Sequence, residues 1–600
     1  MAVIILIKQS NIKLKTVIPT RITAFLGLNK SEEGDTELKL GEASETQNFR
    51  VTQGYEIKKM EGWQPVFDSM GNENISEIWH GKLNGTYMTI FDYNGKLYKR
   101  VDGIIEEIGP IAKNKIKTLF FNSKLYILDG EDYREYDGET LKVVEGYRPI
   151  VAKSGTNYEQ VNILTGAKAI QESGDGNKTT YEIPEKEVKS IDYVRVNGAD
   201  VEYTGNVVTG VITLKNAPAS GTNNIEIGWT KDGENYISKC TNFFLYGGSS
   251  DTRIFVYGNP DTPNREYFSG VAVTPRADYF PANNYKDIGS NQYPITGMAR
   301  QYNTQIIYKK EETYYANIET YTDALGVLNT DFPALPLNSE RGNIAVGQTR
   351  VLLNNPVSIC RDGVYMWTSS NVRDERNTSK ISQRLGREFE SLDLSKVITF
   401  DWEDKMEYWI SVPDEKKCYI YNYGNDTWYT RTNVEAYSFA VIDRELYFGS
   451  KGTIKKFSEE YRYDGNFETI DAVYVTGFYG FGKEWLKKNI RKMWSSVKPE
   501  TRVYVQFLYT TDNQDETIIG DVTYDVIDFA HFNFGKVSFN TSLTVKPFRF
   551  KLKAKKFAYF KLKIRSNKNV ERATIINVEL KETEGGEIKW VLRNLLIIWT

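Results

Sequence analysis

The sequence predicts an all-β chain, and three observations carry that prediction. Aromatic residues make up 13% of the 600 residues, half of them Tyr, a composition suited to pleated, half-buried surfaces. Short runs of β-branched and aromatic residues recur, separated by Asn-Gly, Asp-Gly and Gly-Asn-Asp turns that join antiparallel strands tightly. The runs return in groups of two to four at intervals of about 40–50 residues, the period of a propeller. The expected architecture is a β-propeller of six to eight blades, interrupted by one small β-sandwich and followed by a C-terminal β-sandwich.

The clearest unit is 401–433. Met406–Val412, Cys418–Tyr423 and Trp428–Thr430 read as strands, divided by Pro413-Asp414-Glu415 and Gly424-Asn425-Asp426. Tyr421 and Trp428 flank the second turn at a spacing that resembles kelch-type blades, where such a pair fills the gap between neighbouring sheets. Related pairs are Tyr87–Asp92 with Lys96–Arg100, Lys117–Asn122 with Lys124–Asp129, Asn242–Gly247 with Arg253–Gly258, and Gln305–Lys309 with Thr313–Ile318. Val357–Trp367, and Tyr437–Ile442 with Glu445–Phe448, continue the series. The propeller therefore occupies 66–154 and 234–463. Between them, 155–233 holds five short runs (from Tyr181–Ile183 to Asn224–Thr230) that read as an inserted sandwich.

Residues 1–65 read as an N-terminal arm, with Val3–Ile7 as a strand or docking segment, and a hairpin of Asn48–Val51 and Tyr55–Lys58 across Gln53-Gly54. Gly41-Glu42-Ala43, Asn48-Phe49, Gly54 and Gly62-Trp63 occur in an order that resembles the opening of propeller-containing bacteriophage structural proteins. These include the nozzle and stabilisation proteins at the end of short tails. The stretch from Val196 to Trp229 is similar to the accessory sandwich of such proteins. The resemblance implies a homo-oligomeric virion protein, made in the host bacterial cytoplasm. It would work as a ring-forming nozzle, neck or tail-tip component in DNA retention or ejection. Its expected partners are copies of itself in a ring, other tail or neck proteins and transiting DNA. The alternative is a receptor- or glycan-binding propeller at the tail tip.

The last region, 464–600, carries the most helix-like segment, Trp485–Trp494, with a Lys/Arg face; in the proteins it resembles such a stretch usually begins a C-terminal sandwich, which leaves strand as the alternative. Val503–Tyr509 and Lys546–Arg565 supply further strands. From Phe548 to Lys555 and from Phe560 to Arg565, apolar and cationic residues alternate strictly. Period two on a hairpin puts Arg549, Lys551, Lys553, Lys555, Lys561, Lys563 and Arg565 on one face, a candidate interface for an acidic neighbour or, second, for phosphates.

Little points to catalysis. His80 and His531 are the only histidines, and no nucleophile–base pattern, metal-ligand spacing or nucleotide-binding loop appears. Asp129, Glu131, Asp132 and Asp137 suit turns better than a Ca²⁺ site. Facing carboxylates at a propeller mouth would be the one route to glycoside hydrolysis. No enzyme and no cofactor is expected. Cys240, Cys360 and Cys418, odd in number and far apart, read as reduced thiols in strands. A net charge of −3 excludes a polyanion-coating protein, and the absence of an export signal or a span of ~18–20 apolar residues implies a soluble chain.

Overall fold

The computed structural model describes residues 17–584 except 32–35, 113–114, 154–155, 158, 232, 234, 249–251, 271–274, 323–327, 369–377, 483, 500–502, 525–543 and 570–572. The expected segment Val3–Ile7 and His531 lie outside the described residues.

The chain is all-β. Six four-stranded antiparallel meanders, at 78–110, 117–143, 242–287, 295–338, 350–380 and 398–432, each form from strands consecutive in their sheet. A seventh sheet takes Ser438–Ile442, Glu445–Gly449 and Ile454–Ser458, and its fourth strand is Gly62–Pro65 from the other end of the sequence. In the sixth sheet the three expected strands are Glu407–Val412, Lys417–Asn422 and Thr427–Thr432, and Ile398–Trp402 precedes them.

Neighbouring sheets share apolar cores. Leu83 and Ile90 of the first meet Ile127 and Tyr136 of the second. Leu128 and Tyr133 meet Ile254 of the third, and Phe255 and Phe268 meet Ile295 and Ile307 of the fourth. Tyr308 of the fourth packs edge-on against Trp367 of the fifth. Trp428 of the sixth stacks on Tyr421 at 5.0 Å, faces Ile359 and Val364 of the fifth, and donates its indole N–H to the Ile381 carbonyl at 2.9 Å. Trp409 of the sixth meets Phe439 and Phe457 of the seventh. The seventh returns to the first through Ala440 and Ile454 against Ile78 and Phe91. The sequence of shared cores ends where it began.

Between the second and third sheets, a six-stranded and a three-stranded sheet enclose Trp229, Ile225, Ile227, Ile212 and Val194. Its six-stranded sheet also takes Ile150–Lys153 and Thr156–Asn157, so the unit begins before 155. Leu164 belongs to the core between the second and third sheets, and Asn162 bonds the backbone of Tyr147 and Asp278. Ile150–Lys153 pairs in parallel with Ala167–Gly174, and at the far end the Lys231 N–H donates to the Gly166 carbonyl at 3.0 Å.

The N-terminal strands correct the expected map. They do not form a separate arm and hairpin, although Phe49–Val51 and Ile57–Lys59 do pair. Val17–Ile22 and Ile57–Lys59 both pair with Ala573–Glu584, in a six-stranded sheet that also holds Lys488–Pro499 and Lys546–Phe557. Glu42–Gln47 pairs with Ala472–Thr476 in a second six-stranded sheet, with Phe560–Ser566, Val503–Thr511 and Gln514–Tyr524. Both ends of the sequence therefore build one two-sheet unit, and its core is continuous with that of the sixth and seventh meanders. Lys488–Pro499 is a strand, despite the helix-like look of 485–494.

A buried ionic network sits at this joint. Arg50 donates two parallel bonds to Glu61, at 2.7 and 2.9 Å, and a third bond to Glu407. Glu407 also accepts from the Tyr429 hydroxyl at 2.7 Å and the Trp409 indole at 2.9 Å. Burial alone would lower the Arg50 pKa, but Glu407 and Glu61 outweigh it and raise it. Beside them Arg431, fully buried, pairs with Asp464 at 2.5 Å and reaches Asn48 at 3.2 Å.

Arg50→Met should leave Glu407 buried without a countercharge and cost about 3–5 kcal/mol. Denaturant unfolding measures this, and a loss below about 1 kcal/mol would show that the joint does not depend on the pair. Replacing 167–230 by a short Gly linker should leave the seven meanders folded, since Gly166 and Lys231 already touch and the two strands it orphans, Ile150–Lys153 and Thr156–Asn157, belong to no meander. Replacing 158–232 should destabilise them, because Leu164 and Asn162 go with it. Equal melting of the two variants would refute that boundary.

Candidate functional site

The seven cationic residues do not share one face. Lys546–Phe557 pairs with Lys488–Pro499, while Phe560–Ser566 pairs with Ala472–Thr476 and Val503–Thr511 in the other sheet. The chain crosses between layers at Phe557–Phe560 instead of turning back as a hairpin. Alternation within each strand holds: Leu552, Ala554, Phe557, Phe560, Leu562 and Ile564 are buried between the sheets. The cations consequently point outward from opposite sides. Alternation says which residues face inward, but not which sheet a strand joins.

The two sets differ in their neighbours. In the strand Phe560–Ser566, Arg565 forms two bonds to Asp471 at 2.9 and 2.8 Å, Lys563 reaches Glu516 at 2.9 Å, and Lys561 lies 4.8 Å from the centre of the Phe478 ring. In the strand Lys546–Phe557, Arg549, Lys551, Lys553 and Lys555 are exposed. Among the described residues none of these four makes an ion pair. Sequence reasoning missed their companions Arg491, Lys492 and Lys581, which only strand pairing brings alongside.

The predicted acidic cluster is a set of turn caps. Asp129 accepts backbone N–H groups of Ala112, Glu131 and Asp132, and Asp137 accepts those of Glu139 and Thr140. His80 Nδ1 lies 3.0 Å from the Thr89 hydroxyl. Cys360 and Cys418 lie in strands and Cys240 directly follows a turn; burial pushes their thiols up, to about 11 for Cys360 and about 12 for Cys418.

A cavity of about 310 Å³ opens where the leading strands of the first, second, sixth and seventh sheets begin, lined by Glu73, Asn74, Asp92, Lys115, Ile398 and Tyr437. Asp92 is held by the N–H groups of Ser76 and Glu77, at 2.8 and 2.7 Å, and by the Ser76 hydroxyl at 2.6 Å. Burial pushes this carboxyl up to about 6 against those bonds. Nearby Glu77 takes the Lys117 ammonium at 2.6 Å. These acids tie strand starts together.

Glu266, in the third sheet, is fully buried, and its one hydrogen bond comes from the Gln305 amide at 3.2 Å. Burial pushes its pKa up to about 8. The folded carboxyl keeps its proton up to that pH, whereas the unfolded one releases it near 4.5. Folding thus takes up a proton in this window, and stability, full below about 4.5, falls as pH rises to about 8. Glu266→Gln should remove this slope and raise stability above that pH by on the order of 3 kcal/mol. Parallel pH profiles of wild type and variant in denaturant melts would contradict the assignment.

No family model matches the chain, and no curated protein matches it. Among solved structures it is similar to an exported protein of Bacteroides fragilis, at 9% identity, covering 51% of this chain and 98% of that one, with a TM-score of 0.23. An exo-β-1,3-galactanase of Phanerochaete chrysosporium matches at 7% identity over 79% of this chain and 96% of its own, with a TM-score of 0.18. Kluyveromyces lactis Hsv2 matches at 8% identity over 57% and 93%, with a TM-score of 0.23. None of these likenesses is strong enough to indicate a function.

Proposed function

We propose that the seven meanders are the blades of a β-propeller, closed by Gly62–Pro65 and carrying an inserted sandwich, with a second sandwich built from both ends of the sequence. The chain serves as a structural, non-enzymatic subunit of a bacteriophage tail, a ring-forming nozzle, neck or tail-tip protein that helps retain or pass the genome. One observation carries this reading. Among the residues behind the resemblance to phage structural proteins, Glu42, Asn48 and Gly62 are held tightly at or beside the joint. Glu42 accepts from Asn29 and from the Lys39 N–H, and Asn48 Nδ2 bonds Thr432 and the Asp471 carbonyl. Gly62 lies so close to Tyr463 that a Cβ would stand 2.1 Å from its carbonyl oxygen. A joint so fixed suits a part that bears load. Negative-stain imaging with sedimentation velocity should show rings with a central hole; a monomer at every concentration and salt tested would overturn the reading.

A specific observation favours the receptor- or glycan-binding alternative. Tyr302 and Leu353, on the first turns of adjacent meanders, are 70% and 67% exposed and hold left-handed backbone, at φ 53° and 48°. Bulky residues rarely adopt that conformation, and strain of this kind concentrates where surfaces act. A glycan array that responds to wild type but not to Tyr302→Ala would support the alternative.

A further inference from the structure

The outer face of the sheet containing Lys488–Pro499 aligns like charges that no ion pair answers among the described residues. Strand Lys488–Pro499 lies between Lys546–Phe557 and Ala573–Glu584, and its Lys492 stands directly opposite both Lys551 and Lys581. Three like charges thus share one cross-strand row, with Cβ atoms about 4.5–5.5 Å apart, where like charges repel. The register shifts on both sides of Lys492, so that Arg491 is exposed beside it. Lys553 and Lys555 extend the cationic surface along the edge strand at ~6.6–7 Å steps.

The next row holds Trp494 between Arg549 and Glu579. The Arg549 guanidinium lies 5.9 Å and the Lys581 ammonium 4.8 Å from the Trp494 ring centre, so cations already engage this indole. Glu579 itself stands opposite Arg21 on its other side.

We propose that this face binds the phosphodiester backbone of duplex nucleic acid without regard to sequence. The chemistry favours phosphate over an acidic protein. Lysine is depleted from protein–protein interfaces, which prefer Arg and aromatic residues, and here it supplies five of the seven cations. Lysine neutralises phosphates as a point charge and arginine as a two-pronged donor, and the repulsion within the row is relieved when anions bind. A single strand would be gripped by stacking its bases on aromatic rings, and the cations on Trp494 leave no such platform. The proposal gives the genome-handling role a surface, but it stands on charge and register alone.

The test uses the full chain and a short mixed-sequence DNA duplex, with fluorescence anisotropy read over a range of salt. Wild type should bind with log K falling linearly in log salt, and two unrelated duplexes should bind alike. The triple variant Lys492→Gln, Lys551→Gln, Lys553→Gln should weaken binding more than tenfold and flatten the salt slope by roughly 2–3 units, about one for each phosphate no longer neutralised. Its thermal unfolding should match wild type or exceed it. Lys563→Gln, on the opposite side of the unit and paired with Glu516, should change neither affinity nor slope. No binding at low salt, equal binding by wild type and the triple variant, or stronger binding to single-stranded than to duplex DNA each overturns the proposal. If the triple variant loses ring assembly and keeps DNA binding, the face is a subunit contact; the proposal fails and the virion reading stands. If no rings form but DNA binding is lost as expected, the virion reading fails and this proposal stands.

Discussion

The rest of the structure depends on the buried charge at the joint. Arg50, Glu61 and Glu407 are removed from water, and so are Arg431 and Asp464. Unpaired, each would carry a desolvation penalty of several kcal/mol, so the segments that bear them are held where the pairs form. Those segments are 48–61, the sixth meander and the first strand pair beyond the seventh. The network adds little net stability over an apolar core of equal volume, but it admits one mutual placement. That placement feeds Gly62–Pro65 into the last open edge of the seventh sheet and sets Glu42–Gln47 beside Ala472–Thr476. A single stretch of about twenty residues thus closes one body and begins the other.

Charge is treated differently on the two outer faces of the two-sheet unit. On one, acids from neighbouring strands answer the cations: Asp471 meets Arg565, and Glu516 meets Lys563. On the other, strand order aligns cation with cation. Exposed lysine on an edge strand is expected, since it blocks edge-to-edge association. Lys492 and Lys581 are not on the edge strand, so edge protection does not account for them.

Acids packed among the meanders have a different role. Asp92 and Glu77 gather backbone donors and a lysine at the starts of strands, where N–H groups would otherwise lack partners. Glu266 lacks such donors, and protonation is its least costly way to remain in the core.

The sequence by itself determined the strands, their inward faces and most turns, because alternation and turn chemistry are local. Tyr421 and Trp428 stand opposite each other and fill the gap between sheets, as their spacing across one turn implies. Even the helix-like look of 485–494 has a local cause: the register shift at Arg491 puts buried Ile490 and Met493 three apart, imitating a helical period. Only the tertiary structure decided which strands pair. It placed 17–59 with 472–584, and it sent the two cationic strands to different sheets. It also put Lys492 and Lys581 beside Lys551. Strand pairing is set by burial shared between distant segments and by the ionic joint, and neither leaves a mark in the periodicity of any one segment.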